Sequence, residues 1–205
     1  MKPILTAFSL FILISSCHNS IKNHSEEIKN FQYNLNIFYH NPKESPLTEE
    51  DLKRFKALDF FEINEKYKVE ATLELTPNTP IFEMKTTTDR FPLYKKYATA
   101  KFSIDGKAHE ISIYQHQNLE TSIEFDNHLF LPFNDLTNGI SSYGGGRYID
   151  IEIPTKNSKT ITIDFNKAYN PYCAYNYKYS CPIPPTENNL QIEIKAGVKS
   201  YTKHL

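Results

Sequence analysis

Hydrophobic and polar positions along this chain change period once. From Glu27 the apolar residues Ile28, Phe31, Leu35 and Phe38 recur at three- and four-residue steps, which places them on one face of a helix. Asn41-Pro42 is the expected stop. A second helix is expected to start at Thr48, an N-cap followed by Glu49, Glu50 and Asp51 at the positive end of the helix dipole. Leu47 and Leu52 stand at the positions of a hydrophobic staple, and this short helix is expected to end near Leu58. From Lys66 the period drops to two: Tyr67, Val69, Ala71, Leu73 and Leu75 alternate with Lys68, Glu70, Thr72 and Glu74, as in a strand with one wet and one dry face. The same alternation returns at 98–104, 111–116, 129–133, 149–153, 161–165 and 190–194. Turn formers separate these runs, and Asp105-Gly106 is a two-residue hairpin signal. Seven or eight short strands after short N-terminal helices predict a mainly β, α+β single domain, an antiparallel β-barrel or β-sandwich.

The front of the chain has a different pattern. Lys2 precedes an apolar core running roughly from Ile4 to Ile14, and Ser15 and Ser16 lead into Cys17. The core is shorter than the about 20 apolar residues of a spanning helix and suits an export signal. Ile14-Ser15-Ser16-Cys17 resembles a bacterial lipobox, in which the cysteine is acylated and the chain is cut before it. Each buried methylene of such an anchor contributes about 0.8 kcal/mol to membrane attachment. The alternative is an ordinary cleaved signal with a coincidental cysteine. On the first reading residues 1–16 are removed, residues 17–30 form a polar tether, and residues 31–200 form the β domain. The expected location is the cell envelope, on the periplasmic or the cell-surface face of an outer membrane.

Composition narrows the partners. The 205 residues are 40% hydrophobic and 23% charged, a globular balance. Twenty-three basic against twenty-four acidic residues leave a net charge of -1, so no broad electrostatic field recruits nucleic acid. Of three cysteines, Cys17 belongs to the anchor; the two that remain are too few for a four-cysteine zinc module or a disulfide-dense scaffold. No G-x-S-x-G or H-E-x-x-H motif is present, no cofactor or resident metal is implied, and catalysis is left open.

The C-terminal third carries the densest chemistry. Gly144, Gly145 and Gly146 precede Arg147 at the mouth of a strand, which reads as a tight turn or bulge; a phosphate cradle would need a helix to follow. Arg147 is expected to be exposed or paired with a carboxylate such as Asp164. Asp164 and Asn166 share one face of the strand ending in Asp-Phe-Asn, and Tyr169 and Asn170 follow directly. The runs FNDLTNGISSYGGGRYID, IDFNKAYNPYCAY, SCPIPPTENNL and EIKAGVK, with SPLTEEDLKRFKALDFFEINEKYKV upstream, resemble the bacterial family catalogued as domain of unknown function 1684. The upstream run points to its short, lipoprotein-type members. That resemblance covers most of the mature chain and implies a shared fold, but no established activity.

Four readings of Cys173 and Cys181 stay open. A disulfide would close a loop of about nine residues, contributing on the order of 2 to 3 kcal/mol. Against it, the resemblance includes proteins without an export signal. A metal site would need His116 or His128 to arrive through the fold. A catalytic thiol would need Arg147 or Lys167 beside it. The last reading is a pair of reduced, buried thiols. Arg147, Asp164, Asn166, Tyr169 and Asn170 are the candidate ligand-binding group, with Arg147 holding a carboxylate or phosphate and the amides orienting it. The leading expectation is therefore an envelope lipoprotein that binds a small polar ligand or an envelope component through this face. A hydrolase using the same face, with Asp150, Glu152 and Asp164 as candidate carboxylates, and a purely structural envelope protein are the alternatives.

Overall fold

A computed structural model describes residues 12–117 and 127–202. Helix α1 (Ile12–His40) and the single-turn-and-a-half α2 (Glu49–Arg54) precede seven strands: β1 (Lys68–Leu75), β2 (Ile81–Glu83), β3 (Leu93–Ile104), β4 (Lys107–His116), β5 (His128–Phe133), β6 (Arg147–Glu152) and β7 (Thr160–Asp164). They form one antiparallel sheet in the order β6-β5-β4-β3-β1-β7, with β2 added on β3. The sheet curls into a half-barrel, so of the two architectures expected it is the barrel-like one that forms, not two stacked sheets.

Alternation decides the curl's inside. Val69, Ala71 and Leu73 of β1, Ala98, Ala100 and Phe102 of β3, Leu129, Leu131 and Phe133 of β5 and Ile161 and Ile163 of β7 all pack into one core. Small alanines lie where β1 and β3 run side by side, which keeps the interior from overfilling. The β3–β4 hairpin turns on Asp105 and Gly106, at φ 50° and 74°, the paired positive values that a two-residue turn of this hand requires.

Between β4 and β5 the ladder is thin, with Tyr114 opposite Phe130, and a side chain fills in. Asn188, wholly buried, accepts the Ser112 N–H at 2.8 Å and donates to the carbonyls of Ser112 and Pro132 at 2.9 and 2.7 Å. One amide thus takes the part of a missing strand residue.

A second cluster joins the helices to the C-terminal loops: Tyr39, Leu47, Phe55, Leu58, Tyr175 and Val198. Thr48 caps α2 as expected, its hydroxyl accepting the Asp51 N–H, but α2 stops at Arg54 rather than near Leu58.

Helix α1 ends where Asn41-Pro42 predicts, yet it begins well before Glu27. His24 is 3% exposed, its two ring nitrogens each 2.7 Å from a carboxylate oxygen, of Glu65 and of Asp164, and Ile28 is fully buried. The reading of residues 17–30 as a tether is corrected from His24 onward: His24 and Ile28 are buried against the domain, while Glu26, Glu27, Lys29 and Asn30 form the helix's exposed face. Residues 1–11, most of the export-signal reading, lie outside the described residues, as do the side chains up to Lys22, Cys17 among them. Among the described residues no helix is long and apolar enough to cross a membrane.

Segment 190–194 alternates like a strand but is not one. Leu190 and Ile194 are buried as the pattern demands. The backbone partners are irregular instead: Leu190 N–H donates to the Asn134 carbonyl at 2.8 Å and Leu136 N–H to the Ile192 carbonyl at 3.0 Å, while the Ile194 carbonyl is taken by a side chain.

Candidate functional site

That side chain is Arg147. It opens β6 facing the barrel interior and is 0% exposed. Nη2 donates to Asp135 Oδ2 at 2.7 Å and to the Ile194 carbonyl at 2.8 Å; Nη1 donates to the carbonyls of Ala196 at 2.5 Å and Val198 at 3.3 Å. The rings of Phe61 and Phe133 flank the guanidinium. Burial presses its pKa downward and Asp135 opposes that shift. The expected exposure or pairing with Asp164 is therefore corrected: Asp135 is the partner, and the group anchors the C-terminal segment.

The other four residues of the expected binding face are spent in the same way. Asp164 meets His24 and, through Oδ1, accepts the backbone N–H and side-chain amide of Asn166 at 3.0 and 2.8 Å. Asn166 reads both backbone groups of Asn64, each at 3.0 Å. Asn170 donates to the Lys199 carbonyl at 2.9 Å and the Tyr175 hydroxyl at 3.3 Å. Tyr169 donates to Asp150 Oδ2 at 2.7 Å. These contacts tie α1, the segment before β1 and the C-terminus to the sheet; they do not converge on one pocket. Gly146, at φ 89°, shows why the glycine run is there: a Cβ would lie 2.6 Å from both Asn134 Oδ1 and Pro184. It is a tight structural turn.

The segment that follows β7 at one end of the sheet meets β6 at the other, where Tyr148 and Tyr169 exchange both backbone hydrogen bonds, at 2.9 and 3.0 Å. Beside this join lies a groove of about 450 Å³ whose walls include Asp150, Glu152 and Asp164, the three carboxylates expected for a hydrolase. Asp150 is held by Tyr169 and Asp164 by His24, so the groove presents no free facing pair.

On the other side of Tyr148 and Tyr169 the structure builds a cleft of about 270 Å³. Tyr94, Phe130, Tyr148 and Tyr169 form a continuous wall of rings, with successive centroids 5.5, 4.7 and 5.9 Å apart. Tyr172 and Tyr179, edge to face at 5.3 Å, face it together with Ser180, Cys181 and Pro182. Arg90, exposed at the rim, is the one charged lining residue. Its Nε and Nη2 donate to Ser180 Oγ at 3.1 Å and to the Ser180 carbonyl at 2.8 Å, while Nη1 has no hydrogen-bond partner among the described residues. Burial pushes the Tyr94 phenol up to about 12 and raises those of Tyr148, Tyr169 and Tyr172 as well, so all stay neutral hydroxyls at physiological pH. Burial and Arg90 together lower the pKa of nearby His116, which stacks edge-on against Tyr94. Of the five nominated residues only Tyr169 reaches this cleft.

Cys173 and Cys181 are both free thiols, half-buried and buried. The backbone N–H of Cys173 donates to Cys181 Sγ at 3.1 Å. The partners expected for a reactive thiol are elsewhere, Arg147 on Asp135 and Lys167 on Glu27 at 2.5 Å; Tyr143, whose hydroxyl lies 3.8 Å from Cys173 Sγ, stands there instead. Among the described residues no group of three or more His, Cys, Asp or Glu could hold a metal, so neither His116 nor His128 joins the cysteines.

A family model described as protein of unknown function, DUF1684, matches residues 53–199, which holds the sheet, the cleft and both thiols. The solution NMR structure of an uncharacterized protein of Haloarcula marismortui is similar at a TM-score of 0.70 and 31% sequence identity, over 91% of this chain and 99% of that one. No curated protein sequence matches the chain.

Proposed function

Because this chain belongs to the DUF1684 family, whose description assigns no activity, we propose its function from the cleft: binding of a small, planar, anionic molecule between the tyrosine wall and Arg90. The observation that carries this reading is the pairing of one cation with an otherwise neutral aromatic lining. Ring faces take a flat ligand by stacking, and phenols that stay neutral do not repel an anion. Ser180 already holds the guanidinium through Nε and Nη2, so less of its side-chain freedom is lost when Nη1 meets a carboxylate or phosphate. A volume of about 270 Å³ suits one or two rings.

The test is thermal unfolding in the presence of benzoate, 4-hydroxybenzoate, indole-3-acetate and adenosine monophosphate, each beside its neutral amide or nucleoside. At least one anion is expected to raise the melting temperature while its neutral counterpart does not, and Arg90→Ala is expected to weaken that binding about 10- to 100-fold, the loss of a charge-assisted hydrogen bond. Stabilisation that survives Arg90→Ala, or none with any anion, overturns the reading.

The envelope location belongs to the same proposal. Ile14-Ser15-Ser16-Cys17 after the apolar core supports lipidation at Cys17 and attachment to membrane through that residue. Cys17→Ala is expected to move the protein from the membrane to the soluble fraction or leave it uncleaved; a processed protein that still sediments with membrane counts against the anchor.

A further inference from the structure

The loop that closes the cleft also brings two thiols together, and nothing in the binding reading uses them. Cys173 sits in a 3-10 turn (Tyr172–Ala174), and the chain returns through 175–180 to place Cys181 beside it. The two cysteines occupy unlike positions. Cys181 is 5% exposed, and it is pinned by its neighbours: its N–H donates to Thr87 Oγ1 at 3.1 Å, and its carbonyl accepts the Thr87 N–H at 2.9 Å. Cys173 is half-buried and open to solvent on one side. Its sulfur is within hydrogen-bond reach of the Cys181 thiol and of the Tyr143 and Thr87 hydroxyls. Gly145 makes room for that tyrosine, since a Cβ there would lie 2.5 Å from the Tyr143 ring.

We propose that Cys173 and Cys181 form a thiol–disulfide exchange site that acts on low-molecular-weight disulfides, with Cys173 as the attacking thiolate and Cys181 as the resolving thiol. The accessible sulfur surrounded by donors and the enclosed sulfur held against it supply the two unequal roles such exchange needs. Hydrogen bonds from Cys181 and Tyr143 also lower the Cys173 pKa to about 6, while the Cys181 thiol is pushed up because it is the donor in that bond and is buried.

The chemistry balances over two steps. The Cys173 thiolate attacks one sulfur of R–S–S–R; that S–S bond breaks, a Cys173–S–S–R bond forms, and RS⁻ departs to take the proton Cys173 gave up. Cys181 then loses its proton and attacks the Cys173 sulfur; a Cys173–Cys181 S–S bond forms, the S–S bond of the mixed disulfide breaks, and the second RS⁻ leaves, taking the Cys181 proton to become RSH. The two cysteines are oxidised by two electrons to one disulfide, and the external disulfide is reduced to two thiols.

The experiment uses the full chain in detergent, carrying Cys17→Ser so that only this pair reports, pre-reduced and exposed to oxidised glutathione. Intact mass is expected to show no adduct on this reference protein, only the loss of two hydrogens. Adding Cys181→Ser should trap one stable glutathione adduct, and adding Cys173→Ser should slow thiol loss at least tenfold. Circular dichroism checks that each variant remains folded. Should a variant unfold, the reference protein decides alone: iodoacetamide should modify Cys173 with a pH midpoint near 6, against about 8.5 for an ordinary thiol. Tyr143→Phe should move that midpoint upward. A pair that glutathione disulfide leaves untouched, a disulfide that thiols cannot reduce in the folded protein, or an ordinary midpoint overturns the proposal. The cleft's ligand can fail its own test without affecting any of these readouts.

Discussion

Arg147→Met is expected to lower stability by about 3–5 kcal/mol, the usual result of removing one partner from a buried charged pair. For a domain of this size, that corresponds to a fall of about 6–20 °C in melting temperature. Methionine matches the stem but offers no donor. Asp135 keeps hydrogen bonds to the N–H groups of Thr137 and Ile194, at 2.7 and 3.3 Å, yet its Oδ2 would be left as an unanswered buried charge. The carbonyls of Ile194, Ala196 and Val198 would lose their donor at the same moment. Arg147→Lys should fall between the two, because an ammonium restores the charge but cannot span a carboxylate and three carbonyls with a planar fork. Thermal unfolding followed by circular dichroism reads the order wild type, Lys, Met. A methionine variant as stable as wild type would mean that Arg147 serves a ligand rather than the fold.

This arginine also shows what can and cannot be read from the chain. Alternation reports which side chains are buried, and six runs placed that way lie in strands, although β3 and β4 begin five and four residues before the alternating runs do. It does not report what the backbone pairs with. Residues 190–194 carry the same signal, but their neighbours are a loop and a guanidinium, so no strand forms. Strand β2 was invisible for the opposite reason: it is three residues long, with Phe82 only half-buried, and exists because β3 is long enough to pair with it.

The candidate site follows the same logic. Local density of Arg, Asp, Asn and Tyr around 147–170 marked a place where polar side chains are needed, and those side chains are needed to hold three chain segments in place. The cleft draws Arg90, Tyr94, Phe130, Tyr148, Tyr169 and Tyr179 from separate elements, so no spacing could announce it. Arg90 stands among three threonines and an aspartate that read as an ordinary loop. Only the curl of the sheet brings it to the tyrosines. The two cysteines were legible as a pair because they share one loop; their unlike surroundings were not, since Tyr143 and Thr87 reach them across the fold.

A chain shortened to begin at Phe31 is expected to be clearly less stable than one that retains α1, by about 3–6 kcal/mol. The shortening removes Ile28, whose burial contributes about 1.5–3 kcal/mol. It also removes His24, the partner of Asp164 on the sheet and of Glu65 ahead of β1, where hydrogen bonds to charged groups contribute about 1.5–3 kcal/mol. Asp164, 7% exposed, would keep only Asn166. The similar Haloarcula marismortui structure argues the same way: 91% of 205 residues is about 187, leaving about 18 unmatched, so the likeness reaches into α1 even if every unmatched residue lies at the front. If residues 17–30 were a solvated tether throughout, the shortened chain would melt with the longer one. His24→Ala in the full chain separates the two contributions, and should account for roughly half of the loss by the ranges above. The comparison bears on the anchor as well. With His24 docked on the domain, only six residues separate it from Cys17, so lipid on that cysteine would hold the domain close to the membrane surface rather than at the end of a flexible leash.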